Sequence, residues 1–220
     1  MGNKDKKKKG YCPVFLDLEG KKCVVIGGGQ VALRKVRMLL GCGADITVIS
    51  LAFHPNLSSL AENGAIRLIQ RPYKTGDLRD AVLVISATGQ RETNRKIARE
   101  AGKRGIWINV ADDPKRSGFI VPSFFRRGGL TIAVSTSGMS PALARKIRTK
   151  LEQDFGEEYQ RLLSLIEEVR SMVKQKKIRV SSDVWQEALD LDLLIGLVRK
   201  GQQEEAKKAL MNRLGMPRKG

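Results

Sequence analysis

KCVVIGGGQVALRKV, residues Lys22 to Val36, is the stretch that decides the fold of this chain. A short run rich in β-branched residues ends in three glycines, and apolar residues at helical spacing follow. This order predicts a strand, a tight turn and a helix. Gly27, Gly29 and Ala32 fit the spacing G-x-G-x-x-G/A, which is typical of turns that bind a dinucleotide.

The three residues that match the motif each have a physical role in that interpretation. Gly27 lets the chain turn off the strand, Gly29 lets the backbone approach a pyrophosphate, and Ala32 lets helix and strand pack closely. The phosphates would lie at the helix N-terminus, where N–H groups and the helix dipole favour an anion. The alternative is a glycine-rich turn that binds nothing. The helix after the turn and a second strand at residues 45–50 favour the dinucleotide site.

The end of the second strand bears on the choice of cofactor. Ser50 stands where such folds usually carry an acid for the ribose hydroxyl. No arginine follows at once to accept a 2′-phosphate. The residues alone therefore leave NAD and NADP open.

Composition narrows the class of protein. The 220 residues suffice for one large domain or two to three small ones, and 41% hydrophobic content supports a real core. The net charge of +18 includes a lysine-rich segment within residues 1–10, predicted to be a disordered basic tail. A basic surface attracts nucleic acid, acidic membranes or small polycarboxylates, although a merely solvated surface is as good an explanation. The aromatic content of 5% argues against stacking platforms for single-stranded nucleic acid.

Cysteine and histidine usage indicates a reducing compartment. Cys12, Cys23 and Cys42 form no C-x-x-C, which disfavours a disulfide framework or a zinc site. His54 is the only histidine, so a multi-histidine metal site is excluded, and we predict no protein metal site. No apolar run approaches the roughly 18 residues of a membrane span. We therefore expect a cytoplasmic protein that does not contact a membrane.

Strands and helices alternate along residues 11–113, which predicts one Rossmann-type domain with a parallel sheet. An apolar strand at 81–87 ends at Thr88 and Gly89, where such a sheet presents its carboxyl ends to a ligand. The next strand, at 105–110, leads into Asp112.

The pattern changes after Pro114. Two strands, at 119–122 and 130–135, predict a hairpin, and Ser140 followed by Pro141 predicts the start of a helix. Residues 114–150 are thus expected to form a small α+β element. Residues 151–220 carry apolar positions at helical spacing and predict an all-helical carboxyl-terminal domain.

These residues resemble the precorrin-2 dehydrogenase family, which includes the siroheme synthase amino-terminal domain. The resemblance covers about residues 12–214 and lies in four blocks: Pro13-Val14-Phe15-Leu16, residues 25–35, residues 109–114 with 119–122, and residues 133–145. The glycine block alone is generic, whereas the last two blocks, in this order and spacing, are specific.

The resemblance implies NAD-dependent oxidation of precorrin-2 to sirohydrochlorin, on the way to siroheme or cobalamin. It also implies a homodimer, built through the element at 114–150. The alternative within the family is a bifunctional dehydrogenase and ferrochelatase. Two hypotheses from other functional classes stay open. One is a nucleic-acid-binding module, which no recognition motif supports, and the other is a pseudoenzyme that senses NAD.

Residue by residue, the resemblance assigns the family's catalytic carboxylate to Asp112, which also follows a strand's carboxyl end, where ligands bind. The alternative is a turn-forming Asp in Asp-Asp-Pro. The predicted cofactor contacts are Gly27, Gly28, Gly29, Gln30, Val31, Leu51, Ala52, Thr88, Gly89 and Asn109. The predicted substrate contacts, next to an anion-binding helix N-terminus, are Ser135, Thr136, Ser137, Ser140 and Arg145. Ser137 departs from the glycine that the family often has there.

Overall fold

The computed structural model describes residues 10–216. The lysine-rich segment of the predicted tail lies outside these residues. The chain divides into two compact units, with the division between Val121 and Pro122. The domain boundaries expected after residues 113 and 150 stay predictions.

The first unit is a parallel sheet of five strands with helices on both faces. Its elements are β1 (Lys22–Ile26), α1 (Gln30–Leu40), β2 (Asp45–Ser50), α2 (Pro55–Glu62), β3 (Arg67–Gln70), β4 (Leu83–Ser86), α3 (Arg91–Arg104) and β5 (Trp107–Val110). The strand order is β3-β2-β1-β4-β5. All neighbours pair in parallel, so the carboxyl ends of the strands share one edge of the sheet.

Side chains along β1 point alternately to the two faces of the sheet, so the core of this unit lies in two layers. Val25 packs in the cluster that holds the apolar face of α1, whereas Val24 packs in the cluster that holds Ile97 of α3. Successive side chains of a strand point to opposite faces, so a strand buried on both faces is apolar throughout. This confirms the predicted Rossmann-type arrangement and places the glycine turn at the carboxyl edge.

The second unit begins with an antiparallel hairpin and continues as helices. Its elements are β6 (Ser123–Arg127), β7 (Leu130–Val134), α4 (Pro141–Asp154), α5 (Glu158–Gln175), α6 (Ser182–Ala188), α7 (Leu191–Arg199) and α8 (Gln203–Arg213). The helices from α5 to α8 enclose a core of their own, centred on Val169, Leu194 and Leu210. The predicted small antiparallel element and helical carboxyl-terminal region are confirmed.

The first strand of the hairpin was expected at 119–122, and that prediction is wrong. The strand is Ser123–Arg127, because the two-residue turn Gly128-Gly129 pairs Arg127 directly with Leu130. Phe119 instead lies beside β5, where its N–H donates to the carbonyl of Ile108. A pattern of apolar residues locates a strand only approximately, whereas the turn sets its register.

No helix within residues 10–216 has both the length and the apolar character that a membrane span requires.

Candidate functional site

The three glycines after β1 are constrained in three different ways. Gly27 has a φ of +118°, and a Cβ there would lie 2.4 Å from the carbonyl oxygen of Ala87. A Cβ on Gly28 would lie 2.0 Å from the carbonyl oxygen of Ala52. A Cβ on Gly29 would meet nothing within 4 Å. The first two glycines are therefore required by the protein itself, and the third faces open space.

The open space lies at the N-terminus of α1. Gly29 is the N-cap residue and provides no side chain to bond the first N–H groups of the helix. The first turn, which contains Gln30 and Val31, carries no acidic residue. N–H groups without an intrahelical partner and the positive end of the helix dipole both favour an anion. These features suit an anion such as a pyrophosphate group, and the binding of one at this helix stays a prediction.

The loop after β2 closes against this turn. The N–H of His54 donates to the carbonyl of Gly28 at 2.7 Å, which holds the loop in place. Leu51 and Ala52 are exposed on the loop, and their contacts with a cofactor stay predictions. His54 itself caps α2, since its Nδ1 accepts from the N–H of Asn56. The single histidine thus has a structural role.

The turn between β4 and α3 stands on the other side of the glycines. Thr88 and Gly89 lie there. The side chain of Asn94 from α3 makes two hydrogen bonds with Thr88 and accepts a third from the hydroxyl of Ser86. Sequence reasoning did not single out Asn94. The available signal was weak: a polar residue in the first turn of a helix, six positions after Thr88.

Asp112 occupies a tight turn that follows β5. It is exposed, and its φ of 61° is a left-handed conformation that Asp tolerates better than most residues. Ser117 is only 4% exposed, and its hydroxyl links the two ends of the turn by hydrogen bonds. It accepts from the N–H of Val110 at 2.9 Å and donates to the carbonyl of Asp113 at 2.9 Å. Ser117 was not predicted to have this role.

A lysine of α1 lies within electrostatic reach of this turn. Burial lowers the pKa of Lys35, and the neighbouring Arg34 lowers it further, while the carboxylate of Asp112 opposes both effects. The Asp112 turn and the helix that follows the glycines therefore share one electrostatic environment.

Asn109 of β5 takes part in the same loop. Its side chain is largely buried, and its Nδ2 donates to the carbonyl of Phe119 at 3.1 Å. This bond draws residues 111–119 back onto the sheet. A contact between Asn109 and the cofactor stays a prediction.

In the second unit, the predicted substrate residues form a hydrogen-bonded loop before α4. Ser140 is the N-cap, and its hydroxyl accepts from the N–H of Leu143 at 3.2 Å, as its position before Pro141 predicted. Thr136 Oγ1 accepts from the N–H of Ser140 and donates to its carbonyl.

The rest of this loop is shaped by Ser135 and Ser137. The hydroxyl of Ser135 accepts from the N–H of Ser137, whose φ is 53°. The departure from glycine at Ser137 is therefore accommodated in a left-handed turn. Arg145 is exposed one turn into α4. Contacts of these residues with a substrate stay predictions.

Among the described residues, no group of three or more His, Cys, Asp or Glu side chains could hold a metal ion.

Comparison with known proteins identifies the family. Residues 14–123 match a family model described as NAD(P)-binding, and residues 127–154 match one described as "Sirohaem biosynthesis protein central". The chain is 39% identical over 202 residues to the siroheme synthase of Methylobacillus flagellatus, which covers 90% of this chain and 43% of that protein. It is 37% identical over 202 residues to the siroheme synthase of Nitrosococcus oceani, with 91% and 43% covered.

The chain thus spans less than half the length of these relatives. A solved structure described as "SirC, precorrin-2 dehydrogenase" superposes with a TM-score of 0.73 and 25% identity, covering 92% of this chain and all of the other. The first family model covers the parallel sheet with its glycine turn, and the second covers β7 and α4. The chain belongs to the family of precorrin-2 dehydrogenases and siroheme synthase amino-terminal domains, a family of NAD(P)-binding oxidoreductases.

Proposed function

We propose that this chain is a precorrin-2 dehydrogenase, which oxidises precorrin-2 to sirohydrochlorin with NAD as hydride acceptor. The observation that carries the proposal is the open N-terminus of α1 after Gly29, at the same sheet edge as the Asp112 turn. Ligands of parallel α/β sheets bind at this edge. The likeness to a precorrin-2 dehydrogenase along 92% of the chain supports the choice of substrate.

The residues present fit a dinucleotide. Gly29 leaves room for a pyrophosphate, and the first turn of α1 supplies N–H groups and carries no acid to repel it. When bound, the nicotinamide supplies the acceptor for a hydride. The choice of NAD over NADP rests on the family resemblance, because Ser50 provides neither an acid nor a cation for the ribose.

Asp112 is the proposed proton acceptor. Oxidation of precorrin-2 by hydride loss also releases a proton, which a positioned carboxylate can take. Asp112 is exposed, and Ser117 holds the backbone of its turn, so the carboxylate is accessible on a turn of defined conformation. The neighbouring carboxylate of Asp113 is instead paired with Arg116.

Substrate recognition is the second part of the proposal. Precorrin-2 is a polycarboxylate, and a basic protein with a charge of +18 attracts it. Exposed Arg145 and the loop from Ser135 to Ser140 are the proposed contacts for its carboxylates. We also propose that the protein acts in the cytoplasm, in keeping with its cysteine usage.

A homodimer is proposed as the assembled form. Met139, Leu143 and Ile147 expose 70%, 51% and 38% of their surface on and before α4. These side chains form an apolar surface that the described part of the chain leaves exposed, as expected of a helix that pairs with a second copy. Sedimentation equilibrium tests this, because Leu143→Glu should shift a dimer toward monomer.

The test of the activity is anaerobic incubation with precorrin-2 and either NAD or NADP, followed by the absorbance of the reduced cofactor and of sirohydrochlorin. We expect wild-type turnover with NAD and a large loss in Asp112→Asn. Asn also adopts the left-handed conformation, so this variant removes the charge without straining the turn. Asp113→Asn is the matched control and should retain turnover.

The outcomes separate the alternatives. Unchanged turnover in Asp112→Asn would make Asp112 a turn residue only. NAD binding without turnover in the wild type would overturn the dehydrogenase and favour a sensor. Incubation of sirohydrochlorin with ferrous iron, in the same preparation, tests for the bifunctional ferrochelatase.

A further inference from the structure

Asn94 connects α3 to the wall of the proposed cofactor site. It lies in the first turn of α3 and is partly buried. Its Oδ1 lies 2.7 Å from the hydroxyl of Ser86 and 2.8 Å from the hydroxyl of Thr88. Its Nδ2 lies 3.1 Å from the carbonyl oxygen of Thr88. One side chain thus holds both the side chain and the backbone of Thr88.

These bonds are chemically consistent with one orientation of the amide. An amide oxygen has two lone pairs and accepts from both hydroxyls, while the amide nitrogen donates to the carbonyl. The oxygen of the Thr88 hydroxyl is then left to accept from the N–H of Gln90 at 3.1 Å. Asn provides both the acceptor for the two hydroxyls and the donor for the carbonyl. Asp would place a second acceptor next to the Thr88 carbonyl oxygen and could not bond it.

The segment that Asn94 holds lies against the glycine turn. A Cβ on Gly27 would lie 2.4 Å from the carbonyl oxygen of Ala87 and 3.3 Å from the nitrogen of Thr88. The peptide between Ala87 and Thr88 is therefore in direct contact with the turn that leads into α1. A displacement of this peptide would change the shape of the turn at the point where a pyrophosphate would bind.

We infer that Asn94 is a positioning residue for the dinucleotide site, which holds residues 87–89 against the glycine turn before the cofactor binds. The inference rests on the proposed cofactor binding. Loss of such preorganisation weakens binding because the loop must then be ordered when the ligand arrives. We expect Asn94→Ala to raise the Kd for NAD about tenfold, and to raise the KM for NAD more than it lowers kcat at saturating NAD.

Ser86→Ala is the matched control. Ser86 is fully buried and donates to the same amide oxygen, but it does not hold Thr88. Both variants should lower the midpoint of urea unfolding, since each removes a hydrogen bond from the same cluster. Only Asn94→Ala should weaken NAD binding, so a general loss of stability cannot mimic the effect.

The experiment is a calorimetric titration of NAD into the full chain and its variants, with urea unfolding of each. Equal Kd values for wild type and folded Asn94→Ala, or an equal loss in Ser86→Ala, would overturn the inference. If Asn94→Ala does not fold, Asn94→Leu removes the same hydrogen bonds with a side chain of similar size and should weaken NAD binding, and an unchanged Kd would overturn the inference. A wild type that does not bind NAD would refute the proposed function itself.

Discussion

Adding one methyl group should destabilise the fold at Gly28 but weaken only cofactor binding at Gly29, although the two residues are adjacent. In Gly28→Ala the new Cβ would lie 2.0 Å from the carbonyl oxygen of Ala52 and 2.9 Å from Oγ of Ser50. A carbon atom normally stays about 3.3 Å or more from a carbonyl oxygen, so the loop must move by more than about 1 Å. In Gly29→Ala the new Cβ would meet no protein atom within 4 Å.

The cost at Gly28 can be worked from these contacts. Overpacking typically destabilises by about 1–3 kcal/mol. Moving the loop would also strain the bond from the N–H of His54 to the carbonyl of Gly28, worth about 1 kcal/mol. The free energy of unfolding should therefore fall by about 2–4 kcal/mol, a lowering of Tm on the order of 10 °C. Gly29→Ala has a φ of −87°, allowed for any residue, and should stay within about 1 kcal/mol of wild type.

For Gly29→Ala the expected change is in cofactor binding and not in stability. Its added methyl group would stand where the pyrophosphate approaches the helix N-terminus, so the Kd for NAD should rise at least about tenfold while the protein stays folded. Urea unfolding followed by circular dichroism gives the stability, and calorimetric titration gives the Kd. A Gly28→Ala protein as stable as wild type, or a Gly29→Ala protein with unchanged NAD affinity, would refute the assignment of these roles.

Three further predictions concern other parts of the molecule. Ser140→Ala should lower the free energy of unfolding by about 1 kcal/mol in urea denaturation, because it removes the N-cap of α4, and Ser140→Thr should restore most of it. A hydrogen bond from Arg71 holds the pKa of Asp77 below its usual range, so its stabilising contribution is present above the unfolded pKa of about 3.9 and is lost as the pH falls through the lower folded value. In Asp77→Asn the free energy of unfolding should therefore decline less steeply in acid than in wild type, and identical pH profiles would contradict this. Burial raises the pKa of Cys23 to about 11, so a thiol reagent at pH 8 should label exposed Cys12 quickly and Cys23 only after unfolding, with rapid labelling of native Cys23 as the contrary result.

Local patterns in the sequence were sufficient for most of the fold. The alternation of apolar strands and amphipathic helices predicted the parallel sheet, and it is confirmed from β1 to β5. The glycine turn and the Ser140-Pro141 helix start were also predicted correctly. These features depend on the conformational preferences of neighbouring residues, which a sequence expresses directly. The family resemblance, confirmed by the comparisons, added the proposed chemistry of Asp112.

Contacts between distant residues were decided only by the tertiary structure. Gly28 had no stated role in the motif until Ala52 proved to lie against it, 24 positions along the chain. The first hairpin strand was misplaced because the pairing of Arg127 with Leu130, rather than apolar content, sets its position.

The sequence by itself therefore predicted most of the elements and the edge of the sheet at which the proposed cofactor site lies. It did not determine which side chains hold that edge in shape. Asn94 reaches back to Thr88 and Ser117 reaches back to Val110, each across a turn whose path is fixed by packing on the sheet. Hydrogen bonds of this kind need distances within a few tenths of an ångström. Such precision arises only when helices and strands are packed together, and no periodicity in the sequence encodes it.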